Sequence, residues 1–91
     1  MGKVKVVHYL NQFFAGIGGE EKADTLPHIA ESQPPISQQL QKLIEEDAEI
    51  VGVVVCGDSY FNENLEEAKA KVLEMIKSFN PDILIAGPAF I

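Results

Sequence analysis

Three stretches of the chain hold the side chains able to do chemistry. His8-Tyr9-Leu10-Asn11-Gln12 runs into Gly16, Gly18, Gly19 and the paired carboxylates Glu20 and Glu21. Cys56-Gly57-Asp58 runs into Ser59, Tyr60, Asn62 and Asn64, and Ala86-Gly87-Pro88-Ala89-Phe90 lies next to the last residue. The amides Asn11, Gln12 and Asn62 both donate and accept hydrogen bonds, which suits a small ligand with polar groups of both kinds. Asp58, with Asn62 and Asn64, precedes or opens a helix, where free N–H groups attract an anionic group such as a carboxylate. Glu20 and Glu21 could face an ammonium group, and Gly18 and Gly19 let a backbone approach a ligand closely. Tyr60, Phe13 and Phe14 could form an aromatic wall for a methylated amine through cation–π contact. The candidate binding residues are therefore Asn11, Gln12, Gly18, Gly19, Glu20, Glu21, Asp58, Tyr60 and Asn62.

Each of these has a plainer role. Adjacent carboxylates on a loop are usually solvated, and the aromatics can serve as packing anchors. Asn64, three residues before Glu67, has the spacing of a helix cap. Asp58 suits a turn as well as a site. Gly16-Ile17-Gly18-Gly19 lacks the third spaced glycine of a dinucleotide loop, so a structural turn is its reading. Cys56, the single cysteine, lies beside valines and reads as a small buried thiol rather than a nucleophile. His8 and His28 match no metal-ligand spacing; His8 reads as a hydrogen-bonded residue near a strand end, and no metal is expected. No residue of the chain is assigned a catalytic role.

The elements that must position these residues follow from periodicity. Val4, Val6, Val7, Tyr9 and Leu10 form a β-branched and aromatic cluster, predicting a strand over residues 3 to 9. Residues 10 to 35 lose the apolar period and form a connection longer than an ordinary strand-to-helix loop. Ile36, Leu40, Leu43 and Ile44 recur at helical spacing after Pro34-Pro35, with glutamines, Lys42, Glu45 and Glu46 on the other face. Residues 50 to 56 read IVGVVVC, the unbroken apolar run of a strand covered on both faces. Leu65, Ala68, Val72, Met75, Ile76 and Phe79 predict a second helix that starts at Asn64 and ends at Asn80-Pro81. Residues 83 to 86 make a third short strand before Gly87-Pro88.

The order β-loop-α-β-α-β predicts an α/β fold, a three-stranded parallel sheet with two crossover helices like a Rossmann or flavodoxin fragment. Residues 1–91 are read as one domain, the N-terminal part of a larger doubly wound one. The three polar stretches then emerge at the carboxyl edge of the sheet, where such folds bind ligands. Two helices cannot cover both faces and both edges, so apolar surface remains for more chain or for a homo-oligomeric contact.

Composition narrows the function further. Seven lysines, no arginine and 14 acidic residues give a net charge of -7. That charge disfavours nucleic acid and anionic membranes as partners. No apolar run approaches the roughly 20 residues that span a bilayer, and Lys3 and Lys5 interrupt the first apolar segment, unlike a signal peptide. With one cysteine, no internal disulfide forms, and a reducing cytoplasm is the expected location.

The strings HYLNQFFAGIGGEEKAD, VCGDSYFNEN and AGPAF, in this order, resemble the selenoprotein subunit of the glycine, sarcosine and betaine reductases. The likeness covers nearly all of this chain and only the opening part of that longer subunit. It implies reductive cleavage of the C–N bond of glycine or an N-methylated glycine. A selenolate attacks the α-carbon, the amine leaves, and a Se-carboxymethyl enzyme passes to a second selenoprotein. It implies a pyruvoyl group on a partner subunit and selenocysteine elsewhere in the same subunit, because the family's selenocysteine motif lies downstream of the matching region. Cys56 does not occupy that position. The expected partners are other reductase subunits, or the remainder of the same subunit, and a small amino-acid or betaine substrate. The expected role is scaffold and part of the substrate pocket, inactive alone. A non-catalytic oligomerisation or docking module, and a flavodoxin-like phosphate or nucleotide binder, are the alternatives.

Overall fold

The computed structural model describes residues 3–87. The elements in order are β1 (Val4–Leu10), a 3-10 turn (Glu20–Lys22), β2 (His28–Ile29), α1 (Pro35–Ile44), β3 (Ala48–Val55), α2 (Asp58–Glu63), α3 (Leu65–Ser78) and β4 (Ile83–Ala86). The sheet order is β2-β3-β1-β4. β1 runs parallel to both β3 and β4, whereas β2 runs antiparallel to β3.

The α/β class and the three parallel strands agree with the sequence reading, but the sheet has four strands and is mixed. Val53, Val54 and Val55 leave an outer edge of backbone polar groups on β3, and the long connection after β1 folds back to cover it. His28 pairs with Val55 and Ile29 with Val54, and the Ala30 N–H donates to the Val53 carbonyl at 2.9 Å. Two residues are too few to show a period, so this strand has no signature in the sequence.

Strand alternation splits the core into two layers. Val6, Leu10, Ala48, Ile50, Val53 and Val55 pack with Ile36, Leu40 and Ile44 of α1. Val7, Val54 and Cys56 face the other way, onto Ala68, Val72 and Ile76 of α3. A bulge between Val6 and Val7, where the partner in β3 skips from Ile50 to Gly52, keeps both layers in register. Gly52 is needed there: a Cβ would sit 2.4 Å from the Phe79 ring.

The second predicted helix is α3, with the expected start after Asn64, and a short helix that the sequence reading did not contain, α2, precedes it. Gly57 caps α2, and the two helices meet at Asn64, whose side chain makes no capping bond. Its Nδ2 instead donates back to the Tyr60 carbonyl at 3.2 Å, and its backbone N–H bonds the same oxygen at 2.9 Å. The cap expected from the spacing to Glu67 is thus replaced by closure of the preceding turn. α3 ends as expected: Asn80 takes a positive φ of 49°, a left-handed terminator just before Pro81.

Candidate functional site

The order of the parallel strands, β3-β1-β4, reverses at β1, because α1 leads from β1 to one side and α3 leads back to the other. Open α/β sheets bind ligands in the crevice outside the carboxyl ends at such a reversal. The residues at these ends are Leu10-Asn11-Gln12 after β1, Cys56-Gly57-Asp58 after β3, and Gly87 after β4.

Asn11 and Gln12 are buried, at 4% and 2% exposure, and both reach Asp58. Asn11 Nδ2 donates to Asp58 Oδ2 at 3.1 Å, while Asn11 Oδ1 accepts the Phe14 N–H at 2.9 Å. Gln12 Oε1 accepts the Asp58 N–H at 3.0 Å, and Gln12 Nε2 donates to the Gly19 carbonyl at 3.3 Å. The backbone carbonyl of Gln12 also accepts from Ile17 and Gly18. Consecutive residues at the end of one strand therefore fix the first residue of α2 and fold the glycine segment. Both amides are thus engaged inside the protein, Asn11 with the Asp58 carboxylate and Gln12 with its N–H.

Asp58 and Asn62 line a cleft of about 370 Å3 together with Tyr9 and Phe61. The two rings meet edge to face at 60°, with centroids 6.5 Å apart. Neither aromatic stood among the predicted site residues, although the signal was available. Tyr9 is the last residue but one of β1, two residues before Asn11, and Phe61 follows Asp58 by three residues on a helix, the spacing that puts two side chains on one face. Burial pushes the Tyr9 hydroxyl well above its ordinary pKa, with Cys56 and Asp58 adding to the shift. Burial likewise raises Cys56, which is 1% exposed. A thiol held in its protonated form is a poor nucleophile.

The other candidates lie elsewhere. Tyr60 packs against the α3 layer, and its N–H donates to the Ala23 carbonyl at 3.0 Å. Glu21 turns onto its own loop: Oε1 accepts the Gly19 N–H at 3.0 Å, and its own backbone N–H and that of Gly19 hold its carboxyl below the usual range. Glu20 begins the 3-10 turn. Phe13 and Phe14 pack edge to face on each other, centroids 5.1 Å apart. The last stretch, from Pro88 on, falls outside the described residues.

His8 spans the crevice between β1 and β4. Its Nε2 lies 2.6 Å from the Gly87 carbonyl, which can only accept, so Nε2 carries the proton; Nδ1 lies 2.7 Å from Ser37 Oγ. The ring and the hydroxyl are both buried, so this is a hydrogen-bonded tie between β4, β1 and α1. Among the described residues, no group of three His, Cys, Asp or Glu could hold a metal ion, and no helix is long and apolar enough to cross a membrane.

Fold and site together define an open-sheet α/β protein with a polar, aromatic-lined cleft at its carboxyl edge. Residues 3–91 match the family model of the glycine/sarcosine/betaine reductase selenoprotein B, and the chain belongs to that family. Three relatives come from Peptoclostridium acidaminophilum. The glycine reductase complex component B subunit gamma is 72% identical over 99% of this chain. The sarcosine reductase complex component B subunit beta is 50% identical over 99%, and the betaine reductase complex component B subunit beta is 37% identical over 94%. The chain spans about a fifth of the length of these relatives, 20% or 21%. No solved structure matches it significantly.

Proposed function

We propose that this segment is the N-terminal part of a larger doubly wound domain in a cytoplasmic reductase component B subunit, and that it forms one wall of the substrate pocket. The observation that carries the reading is the cleft at the ends of β1 and β3, where a carboxylate aimed by two buried amides stands beside two aromatic rings. The Asp58 carboxylate pairs with the ammonium of glycine or sarcosine, and the faces of Tyr9 and Phe61 suit the more methylated nitrogen of betaine. Asn62 offers a donor to the substrate carboxylate. Selenocysteine elsewhere in the subunit and a pyruvoyl group on a partner subunit supply the nucleophilic and carbonyl chemistry. Cys56, buried and protonated, does not stand in for selenium.

The test is Asp58→Asn in the complete reductase. A hydrogen bond to a charged group contributes about 1.5–3 kcal/mol, so KM for glycine should rise roughly tenfold to a hundredfold. An unchanged KM in Asp58→Asn, with Asn62→Ala also unchanged, would remove the cleft from the substrate pocket. The 91-residue chain alone, given a dithiol, should reduce neither glycine nor betaine.

The phosphate-binding alternative has little support at α2. The Asp58 N–H is taken by Gln12, the Tyr60 N–H by Ala23 and the Phe61 N–H by Gly57, and Asp58 itself brings a carboxylate to the helix start. The docking alternative draws on β4, where Ile83 and Leu84 stay 50% and 46% exposed on a strand paired along one side by β1. Self-association through that edge would appear as a dimer in sedimentation.

A further inference from the structure

On the α1 side of the sheet, an apolar trough of about 370 Å3 runs between α1 and β4. Ile36, Leu40 and Leu43 form one wall and Ile85 the other, with His8 and its tie to Gly87 at the floor. Leu43 is 84% exposed although it continues the apolar stripe of α1. A stripe at helical spacing left open to water on a 10-residue helix is a packing face without its second layer.

We propose that the trough seats an amphipathic helix from the part of the reductase subunit that lies outside this segment, packed alongside α1. The relatives supply the polypeptide, since this chain spans only 20% of their length. Handedness says which part is not the occupant. The α3 crossover travels from β3 past β1 to β4, and a strand added outside β4 continues in the same direction. Right-handed crossovers in one direction lie on one face, so the helix directly after β4 covers Leu84 on the α3 side. The α1 trough is filled by a later helix that returns across the sheet.

Charge argues against a second copy as the occupant. Glu45, Glu46 and Asp47 follow α1 directly, at the end where the helix dipole is already negative, and all three are exposed. Each chain carries a net charge of -7, so two copies repel, and a two-fold contact that packs α1 parallel to its copy would also bring residues 45–47 of both chains together. The occupying helix instead presents leucine-like residues to Leu43 and Ile85, and lysine or arginine to residues 45–47.

The experiment places a benzophenone amino acid at position 43 of the complete subunit, with this segment replacing the matching 90 residues of the glycine reductase relative from P. acidaminophilum. Irradiation should give an intrachain cross-link, at subunit mass, to a peptide beyond the helix that directly follows β4. A cross-link between two copies, to a different subunit, or to that first following helix would overturn the proposal, as would its absence. Leu43→Asp gives a second measurement. It should lower the melting temperature of the complete subunit, whereas Lys42→Ala, exposed and outside the trough, should leave it unchanged; equal effects of the two would also overturn it. Neither readout depends on substrate, so they stand or fall separately from the cleft around Asp58.

Discussion

Gly57→Ala is the substitution on which the architecture of the carboxyl edge depends most directly. Gly57 has a φ of -68°, which any residue adopts, so alanine brings no backbone strain. The obstacle is space: a Cβ would lie 2.2 Å from the Ala23 carbonyl oxygen and 2.6 Å from the Thr25 nitrogen, both backbone atoms that no rotamer change can move. The connection after β1 crosses the β3–α2 junction there, held by the Gly57 N–H to Thr25 carbonyl bond at 2.9 Å and the Tyr60 N–H to Ala23 carbonyl bond at 3.0 Å. Overpacking of this kind costs about 1–3 kcal/mol, and straining two hydrogen bonds adds about 1 kcal/mol, for a total of about 2–4 kcal/mol. Against the roughly 5–15 kcal/mol of a typical domain this is a large fraction. Urea unfolding followed by circular dichroism at the helix band measures it, with Gly16→Ala as comparison. Gly16 has a φ of 80° and open space around its Cβ, so alanine there meets only conformational strain of about 1 kcal/mol. A Gly57→Ala protein within about 0.5 kcal/mol of the parent, or less affected than Gly16→Ala, would refute the crossing as described.

Two further outcomes follow from the buried polar groups. Ser37→Ala removes the partner of His8 Nδ1 in a site with neither residue exposed, and should destabilise the chain by about 1–3 kcal/mol in the same unfolding assay. Tyr9 and Cys56 both have pKa values raised by burial, so both protons are held more tightly in the folded chain. Their stabilising effect is complete below the unfolded-state pKa values, about 8.5 for cysteine and 10 for tyrosine, and fades as pH rises past them. Unfolding free energy should therefore fall between pH 9 and pH 11, and Tyr9→Phe should flatten that fall; an identical slope in the variant would contradict the assignment.

The carboxyl-edge cleft shows how far local pattern reaches. Asn11, Gln12, Asp58 and Asn62 could be singled out because amides and a carboxylate interrupt apolar runs at strand ends, and parallel topology sends those ends to one edge. Which of them line the cleft was not legible. Asn11 and Gln12 hydrogen-bond Asp58, a contact 46 or 47 residues apart in the chain that no spacing rule encodes. Tyr60 and Phe61 are neighbours of the same type and both pack against the α3 layer, yet only Phe61 also lines the cleft.

The sequence by itself determined the α/β class, the parallel strands, their helices, the buried state of Cys56 and the family. Each of these rests on residue type at short spacing, or on strings long enough to be specific. Tertiary structure alone decided the rest. β2 forms because the edge of β3 needs partners, whatever the propensity of His28 and Ile29. α2 forms ahead of the predicted helix because the crossing at Gly57 fixes where it starts, and α3 then lies over Val7, Val54 and Cys56. The exposure of Leu43 belongs to the same class of fact, since a helical stripe specifies a face to be covered and only the fold shows whether it is.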